Sequence, residues 1–582
     1  MNEGESIVKT RWKTIAAVAL VLSLLAAACS SDDDVGGTEV GIEQSHISED
    51  EVVSDSEPTA GVVPTSNTGF IPGAIVSTEC TDMHPIGGTI SIGLFGEMNG
   101  WDPTTVEDGP ELGEIQLMAI YDSLFYLDLT TSELLPALAE SITTEDNQTF
   151  ILTLRNDVNF TDGTPLNADA FIWNVEHYRT ASGSRAADEA ETIAEINKID
   201  ELTVEIVAVN SNAALPLSFA GRLGKMMSPT TYEAGRDLET GLNSEINTNP
   251  VGIGAGAFLF ESWIPGDEAV VVRNPDYYRA PCPYLDSVIF RPIVDASQRQ
   301  KSYQAGGLDI FYSRDAVILS QERDAGSNIA TYVDNHASHW LLNNSREPFN
   351  IRACRRAVAH GVDYETLNEI VHDGLSTVNR SIMSPGSPWV DPEAKIPAYD
   401  LDAARDALVE CEAELGGPLE FSTFCYSETV NRKTVETLIA MWNAIGITAI
   451  ANCVSVGEMA SEVFAGEAIA NPWSVAVGDP DDLYFSYYGD SSTDGVCGSN
   501  VSAGNYGKAC YPEFDEALTQ GRKGLTFAQR YEAYSRFQHK WAEEVPHILT
   551  FKPERGYVWS DKVSGMMQTS NFVAMLQFVA KG

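Results

Sequence analysis

Basic residues are scarce in this chain of 582 residues: 36 Lys and Arg stand against 84 Asp and Glu, a formal net charge of −48. That balance excludes a nucleic-acid binder, whose contact face needs a basic footprint to neutralise phosphates. It bears instead on solubility and on a salty habitat, since charges more than roughly 8 Å apart are screened at physiological salt. Signatures of catalysis are missing as well: the chain has no GxSxG, no HExxH and no P-loop. It has no CxxC and no zinc-finger spacing, which argues against a metal cluster. The glycine-rich "GIGAGAF" at 252–258 precedes strand-like sequence rather than opening a helix, so it fails the context test for a dinucleotide fingerprint. Together these absences point to a protein that is not an enzyme and carries no cofactor or metal.

A long apolar run is also lacking. The uncharged run near the start that is rich in Ala, Val and Leu, Ile15 to Ala28, falls short of the roughly 20 residues a membrane-spanning helix needs. Lys9, Arg11 and Lys13 precede it and "LLAAACSS" follows, the layout of a bacterial lipoprotein signal. Residues 1–28 then form the signal peptide, and Cys29 is the lipidated first residue of the mature chain. Leu usually stands three residues before that Cys; here Ala26 holds the place and Leu25 lies one earlier. A plain secretory signal is the alternative. Residues 30–79 contain eleven Asp or Glu and no Lys or Arg, and lack hydrophobic periodicity. Such a stretch buries too little apolar surface to offset its ordering entropy, so 29–80 reads as a flexible acidic linker from a membrane anchor to a folded body. The protein is expected on the outer face of the cytoplasmic membrane or in the periplasm.

What remains is globular in composition, 43% hydrophobic and 9% aromatic, and too long for one ordinary core. Eight cysteines lie beyond Cys29, an even number in an oxidising compartment. Cys425 and Cys453 sit in strand-like runs joined by one helix, and Cys497 and Cys510 flank a short loop, so these are the two pairings with a physical argument. Cys411 lies on the apolar stripe Leu401, Ala404, Leu408, Cys411 and Leu415, where a buried free thiol is also open.

Local signals order the rest. Ile115, Met118, Ala119 and Asp122 have helical spacing, and Phe150, Leu152 and Leu154 alternate as in a half-buried strand. Asp162-Gly163 marks a turn, and Asn167 caps a helix with the apolar stripe Phe171, Val175 and Tyr178. From about residue 330 the pattern becomes βα, with a helix broken near Gly361 and another stopped at Gly416-Gly417. Strands at 419–425 and 446–453 around a helix predict a parallel sheet.

Seven segments in order resemble one family. They are "GGTISIGLFGEMNGWDP", "LLPALAESITTEDNQTFILTLRNDVNFTDGTPLNADAFIWNVE", "NPVGIGAGAFLFESWIPGDEAVVVRNPDYY", "EPFNIRACRRAVAHGVDYETL", "AIGITAI", "YPEFDEAL" and "VPHILTFKPERGYVWSDKVSG". Together, from about 87 to 575, they resemble the extracytoplasmic solute-binding proteins of ABC importers, in the large class for peptides and nickel (family 5). The resemblance implies an α/β fold of the type II periplasmic-binding-protein kind: two lobes, three domains, a hinge and an interlobe ligand cleft. Lobe one would span 81–330 with an inserted subdomain at about 125–245, lobe two 331–545, and residues 546–582 would return to lobe one. Hinge closure on the solute is a known behaviour of binding proteins. The partners implied are a peptide or other small solute, an ABC permease, and the membrane through the lipid anchor, with the protein acting as a monomer. A carrier for an oligosaccharide or opine-like solute, and a sensing receptor without import, stay open.

By the same resemblance the cleft draws on Met98, Asn99 and Trp101; on Trp340, Asn343 and Asn344; and on Trp473, Val475, Ala476 and Asp479. Core packing stays open for each tryptophan. In "WSVAVGDPDDLYF" (473–485), Asp479 reads as a helix N-cap, Pro480 as the first helical residue, and Asp481 and Asp482 as first-turn acids, with Leu483, Phe485 or Tyr487 facing the core. Tyr484, Tyr487 and Tyr488 read as core or loop. Peptide carriers of this family place an ammonium-binding aspartate where Ala476 stands. The resemblance therefore implies a solute not held by a free amino terminus.

Overall fold

The computed structural model describes residues 79–582 apart from 82–83, 107–112, 129–132, 334–336, 385–386, 427–428, 455, 476–478, 503, 553 and 567–572. The signal segment, Cys29 and nearly all of the acidic linker lie outside the described residues, as does Ala476. Apolar side chains gather into two main cores. One takes residues between Ile90 and Ala330 and again between Tyr557 and Ala580; the other takes residues between Trp340 and Phe551. These are lobe one and lobe two.

Lobe one is built on a seven-stranded sheet in the order Asn328–Val333, Glu554–Trp559, Ile310–Ser313, Thr89–Leu94, Ser287–Pro292, Glu268–Arg273 and Phe258–Ile264. Its centre, Thr89–Leu94, runs parallel to both neighbours. A second, antiparallel sheet, in the order Ala139–Thr144, Thr149–Leu154, Thr203–Ala208 and Ile193–Lys198, lies within the stretch read from sequence as an inserted subdomain. Its alternation is the predicted one, with Phe150, Leu152 and Leu154 buried against the helix Ala168–Thr180. Asn167 caps that helix, its side chain accepting from the Ala170 amide at 3.0 Å. Phe171, Val175 and Tyr178 complete the buried stripe and share the lobe-one core, so the subdomain belongs to lobe one.

The parallel sheet expected of lobe two is found only in the pair Glu420–Tyr426 and Thr448–Val454. The main sheet, in the order Thr377–Val378, His547–Lys552, Ala337–Leu342 and Ala470–Val475, is antiparallel throughout. The helical segments fall as read: Arg352–His360 and Tyr364–His372 break at Gly361, and Leu401–Leu415 ends at Gly416 in the left-handed region, φ 74°. Two chain crossings join the lobes, at 333–337 and 552–554. Both correct the boundaries read from sequence. Asn328–Val333 pairs with Glu554–Trp559 and so stays in lobe one, while His547–Lys552 pairs with Ala337–Leu342 and so stays in lobe two.

Among the described residues the cysteines pair as Cys80–Cys282, Cys354–Cys411, Cys425–Cys453 and Cys497–Cys510. The free-thiol reading of Cys411 is corrected, because the helix Arg352–His360 packs on Leu401–Leu415 and brings Cys354 opposite it, with Cα atoms 4.8 Å apart.

Candidate functional site

The central parallel strands end on one side of lobe one, and the carboxyl ends of such strands are where open α/β sheets bind ligands. Phe95 follows Thr89–Leu94 there, and Arg314 follows Ile310–Ser313. The Arg314 guanidinium lies 3.8 Å from the centre of the Phe95 ring. The next residue, Asp315, caps the helix Ala316–Asp324 and acts on His372 of lobe two. Burial pushes the His372 ring down to about 4, and the Asp315 charge opposes that shift. A second cross-lobe pair lies farther out. Burial lifts the Tyr506 hydroxyl of lobe two above its ordinary value, and the charge of Asp188, on the inserted subdomain, adds to it. Tyr506 meets Trp473 edge-on at 5.1 Å, and Phe464, 62% exposed, completes an aromatic cluster. Asp315 with His372 and Asp188 with Tyr506 are thus places where charges of one lobe reach groups of the other, with Phe95 and Arg314 at the strand ends of lobe one and Trp473 beside Tyr506 on lobe two.

Most of the residues expected from sequence are taken up by the fold. Trp473 stands half-buried in this aromatic cluster, and Asn99 is exposed on the loop after the first strand. Met98 and Trp101 are buried in the lobe-one core. The Trp101 ring packs edge-on to Phe260 at 5.2 Å, and its amide bonds the Asn247 side chain at 3.0 Å. Trp340 is a lobe-two core residue whose indole donates to the Thr423 hydroxyl. The Asn343 amide group donates to the Gly466 and Ala468 carbonyls. The Asn344 amide group donates to Leu342, Gly507 and Pro546 carbonyls at 2.8, 3.2 and 3.1 Å. These three were expected in the cleft; their polar groups are instead engaged in fixing lobe-two loops, which removes them from the solute-contacting set. Val475 pairs through its backbone with Ala337. Phe95 lies inside the first family segment without being singled out there, and Arg314, Phe464 and Tyr506 lie outside all seven segments, so sequence reasoning missed the four.

The aspartates after the 476–478 segment have other partners than the expected ones. The helix begins at Asp482, three residues after Asp479, and its cap residue Asp481 makes no side-chain cap bond. Asp479 is not the N-cap. Its carboxylate accepts two hydrogen bonds from the Arg530 guanidinium and one from the Asp481 amide at 2.9 Å. Burial lifts the Asp479 carboxyl above its ordinary value, while the Asp479 charge holds Arg530 above its own. Asp481 accepts two bonds from Arg522, at 2.7 and 2.9 Å, and Arg522 stacks 3.5 Å over the Tyr484 ring. Of the three side chains expected to face the core, Leu483 and Tyr487 do and Phe485 is exposed. The N-cap expectation failed because two arginines more than forty residues downstream compete for the same carboxylates, which local spacing does not reveal.

Comparison with known proteins places this geometry. The family model described as "Bacterial extracellular solute-binding proteins, family 5 Middle" matches residues 133–495. The chain is 25% identical over 499 residues to di/tripeptide-binding protein 1 of Pseudomonas aeruginosa (strain UCBPP-PA14), covering 81% of this chain and 90% of that one. Its fold is similar to that of the ABC transporter substrate-binding protein CtaP from Listeria monocytogenes, with TM-score 0.73, 18% identity, and coverage of 85% and 99%. It is similar also to the binding protein AgaA from A. tumefaciens R10 solved with agropinic acid, with TM-score 0.72, 21% identity, and coverage of 85% and 99%. With its two-lobed α/β fold in place and the family model matched over residues 133–495, the chain belongs to the bacterial extracellular solute-binding proteins of family 5.

Proposed function

We propose that this chain captures a peptide or peptide-like solute between its lobes and delivers it to an ABC permease, while Cys29 holds it to the membrane through a lipid and residues 30–79 act as the tether. The protein works as a monomer, is not an enzyme, and uses no cofactor. The observation that carries this reading is Phe95 and Arg314 at the carboxyl ends of the parallel strands of lobe one and the Trp473–Tyr506 aromatic pair on lobe two, side chains of the kind that line a small-molecule pocket. The peptide-binding relative and the family match support the same reading. Closure is driven only by the difference in solute affinity between open and closed forms. No helix among the described residues is long and apolar enough to cross a membrane. A lipid on Cys29 would supply the attachment instead.

Ala476 favours a second reading, a non-peptide solute. A chain without an acid at that position lacks the charge-assisted bond that would grip a peptide ammonium. Native mass spectrometry of the purified mature protein, followed by calorimetry with di- to pentapeptides, tests both. A co-purified peptide, or peptides that bind equally with free and acetylated amino termini, supports a peptide carrier of this altered kind. Binding that needs the free amine overturns the role given to Ala476, and a non-peptide solute in the mass spectrum selects the second reading.

A further inference from the structure

The inserted subdomain of lobe one touches lobe two at the turn between the helices Pro512–Lys523 and Phe527–Glu544. The Asn147 side-chain amide donates to the Gly524 carbonyl at 2.9 Å, and the Ala213 amide donates to the Arg522 carbonyl at 2.8 Å. The Asn147 bond is buried. Asn147 sits in the hairpin turn between Ala139–Thr144 and Thr149–Leu154 with φ 55°, and its carbonyl accepts from the Asn212 amide at 2.7 Å, so the two contacting loops are fastened to each other. Beside them lies a groove of about 640 Å³, walled by Leu134, Ile142 and Leu217 from lobe one and by Trp389, Phe527 and Arg530 from lobe two. Because the subdomain shares the lobe-one core, both bonds must break when the lobes part.

The same turn grips Asp479 and Asp481. Arg522, whose carbonyl Ala213 holds, binds Asp481 through its side chain. Arg530, six residues beyond Gly524, binds Asp479. In the sequence the two aspartates lie six and eight residues after Trp473.

We infer that Asn147 is a positioning residue for solute capture: it latches the inserted subdomain to the 522–526 turn, and Arg522 and Arg530 pass lobe closure on to Asp481 and Asp479. This rests on the reading of the cleft as a solute site, since without a solute the linkage has nothing to report. It assigns the acids of "GDPDD" a role that neither capping nor ligand contact supplies. Releasing the latch frees the turn and slackens the Asp479 and Asp481 anchors together, and an opened lobe then holds its solute less long.

Residue-resolved amide hydrogen exchange on the full mature protein, with no solute added, tests the linkage in the wild type and in Asn147→Gly and Asn147→Asp. Both substitutions tolerate the left-handed backbone at 147 and remove the donor, so a fault in the turn itself is kept apart from loss of the latch. The expected result is exchange at Ala213 faster by roughly three- to tenfold, the factor one buried hydrogen bond corresponds to, with a parallel rise at Asp481. Arg522→Lys, which keeps the charge but loses the paired geometry, should speed exchange at Asp481 and leave Ala213 protected. Unchanged exchange at Ala213 in both Asn147 variants overturns the latch, and faster Ala213 with unchanged Asp481 overturns the transmission. A protein that bound no solute at all would leave these exchange rates as they are, so failure of the solute reading is told apart from failure of the latch.

Discussion

At the scale of single residues, polar groups near the cleft divide by whether the fold has already used them. Asn344 resembles a ligand contact by its place on the first strand of lobe two, yet its amide bridges three carbonyls from separate loops and its oxygen accepts from Tyr511. Replacing it removes the side-chain donor from the Leu342 and Pro546 carbonyls and strands the Tyr511 hydroxyl, while the Gly507 carbonyl keeps the Asn344 backbone amide. Asn344→Ala should therefore cost about 2–4 kcal/mol, read as a lower urea midpoint with the slope unchanged. A variant as stable as the wild type would return Asn344 to the solute-contacting set. Trp473 is the opposite case, a ring that stays half-buried because its neighbours Tyr506 and Phe464 are themselves at the surface. Its family position was legible in the sequence. The partners that make it part of an aromatic wall were not, since they are contributed by segments 9 residues before and 33 after it.

At the scale of elements, local rules predicted most helices and strands and failed where distant side chains intervened. Asn167 and Gly416 act as the N-cap and stop signal read from the sequence, because both satisfy backbone groups within their own helix. Asp479 has the same local credentials and a different role, as the bidentate partner of a buried arginine. The two roles separate by experiment. Asp479→Ala leaves Arg530 buried and unpaired and should destabilise by about 3–5 kcal/mol. Asp482→Ala, at an exposed first-turn position, should cost under about 1 kcal/mol. Equal, small losses in chemical denaturation for both variants would restore the capping role of Asp479. Lobe two shows the same limit at the level of sheets. The βαβ signal gave Glu420–Tyr426 beside Thr448–Val454, but the strands that carry the cleft pair antiparallel across more than a hundred residues.

At the scale of the whole molecule, two cores and a neutral histidine in each shape its response to acid. His177, stacked on Trp173 in lobe one, is pushed down to about 4 by burial and by the Arg236 charge. His547, stacked on His339 in lobe two, is pushed well below its ordinary value by burial, with His339 and Arg355 adding to it. Their unfolded counterparts take up a proton near 6.5. The unfolded chain thus binds more protons than the folded one below that pH, and stability falls as the pH drops from 6.5 towards about 4. The slope is at most about 1.4 kcal/mol per pH unit for each ring. His177→Gln should flatten the fall of the melting temperature between pH 7 and pH 5 relative to the wild type. A parallel fall in both proteins would show that His177 titrates normally.

The sequence by itself determined the helices and strands whose caps and periodicity are local, and the family, because each rests on neighbours along the chain or on ordered markers. Only the tertiary structure decided where the chain crosses between lobes, that Cys411 has a partner, and that Trp101, Trp340, Asn343 and Asn344 serve the core. It alone decided that Asp479 and Asp481 belong to Arg530 and Arg522. These outcomes depend on which groups meet across tens to hundreds of residues, where competition for buried hydrogen bonds and charges is settled by packing and not by spacing.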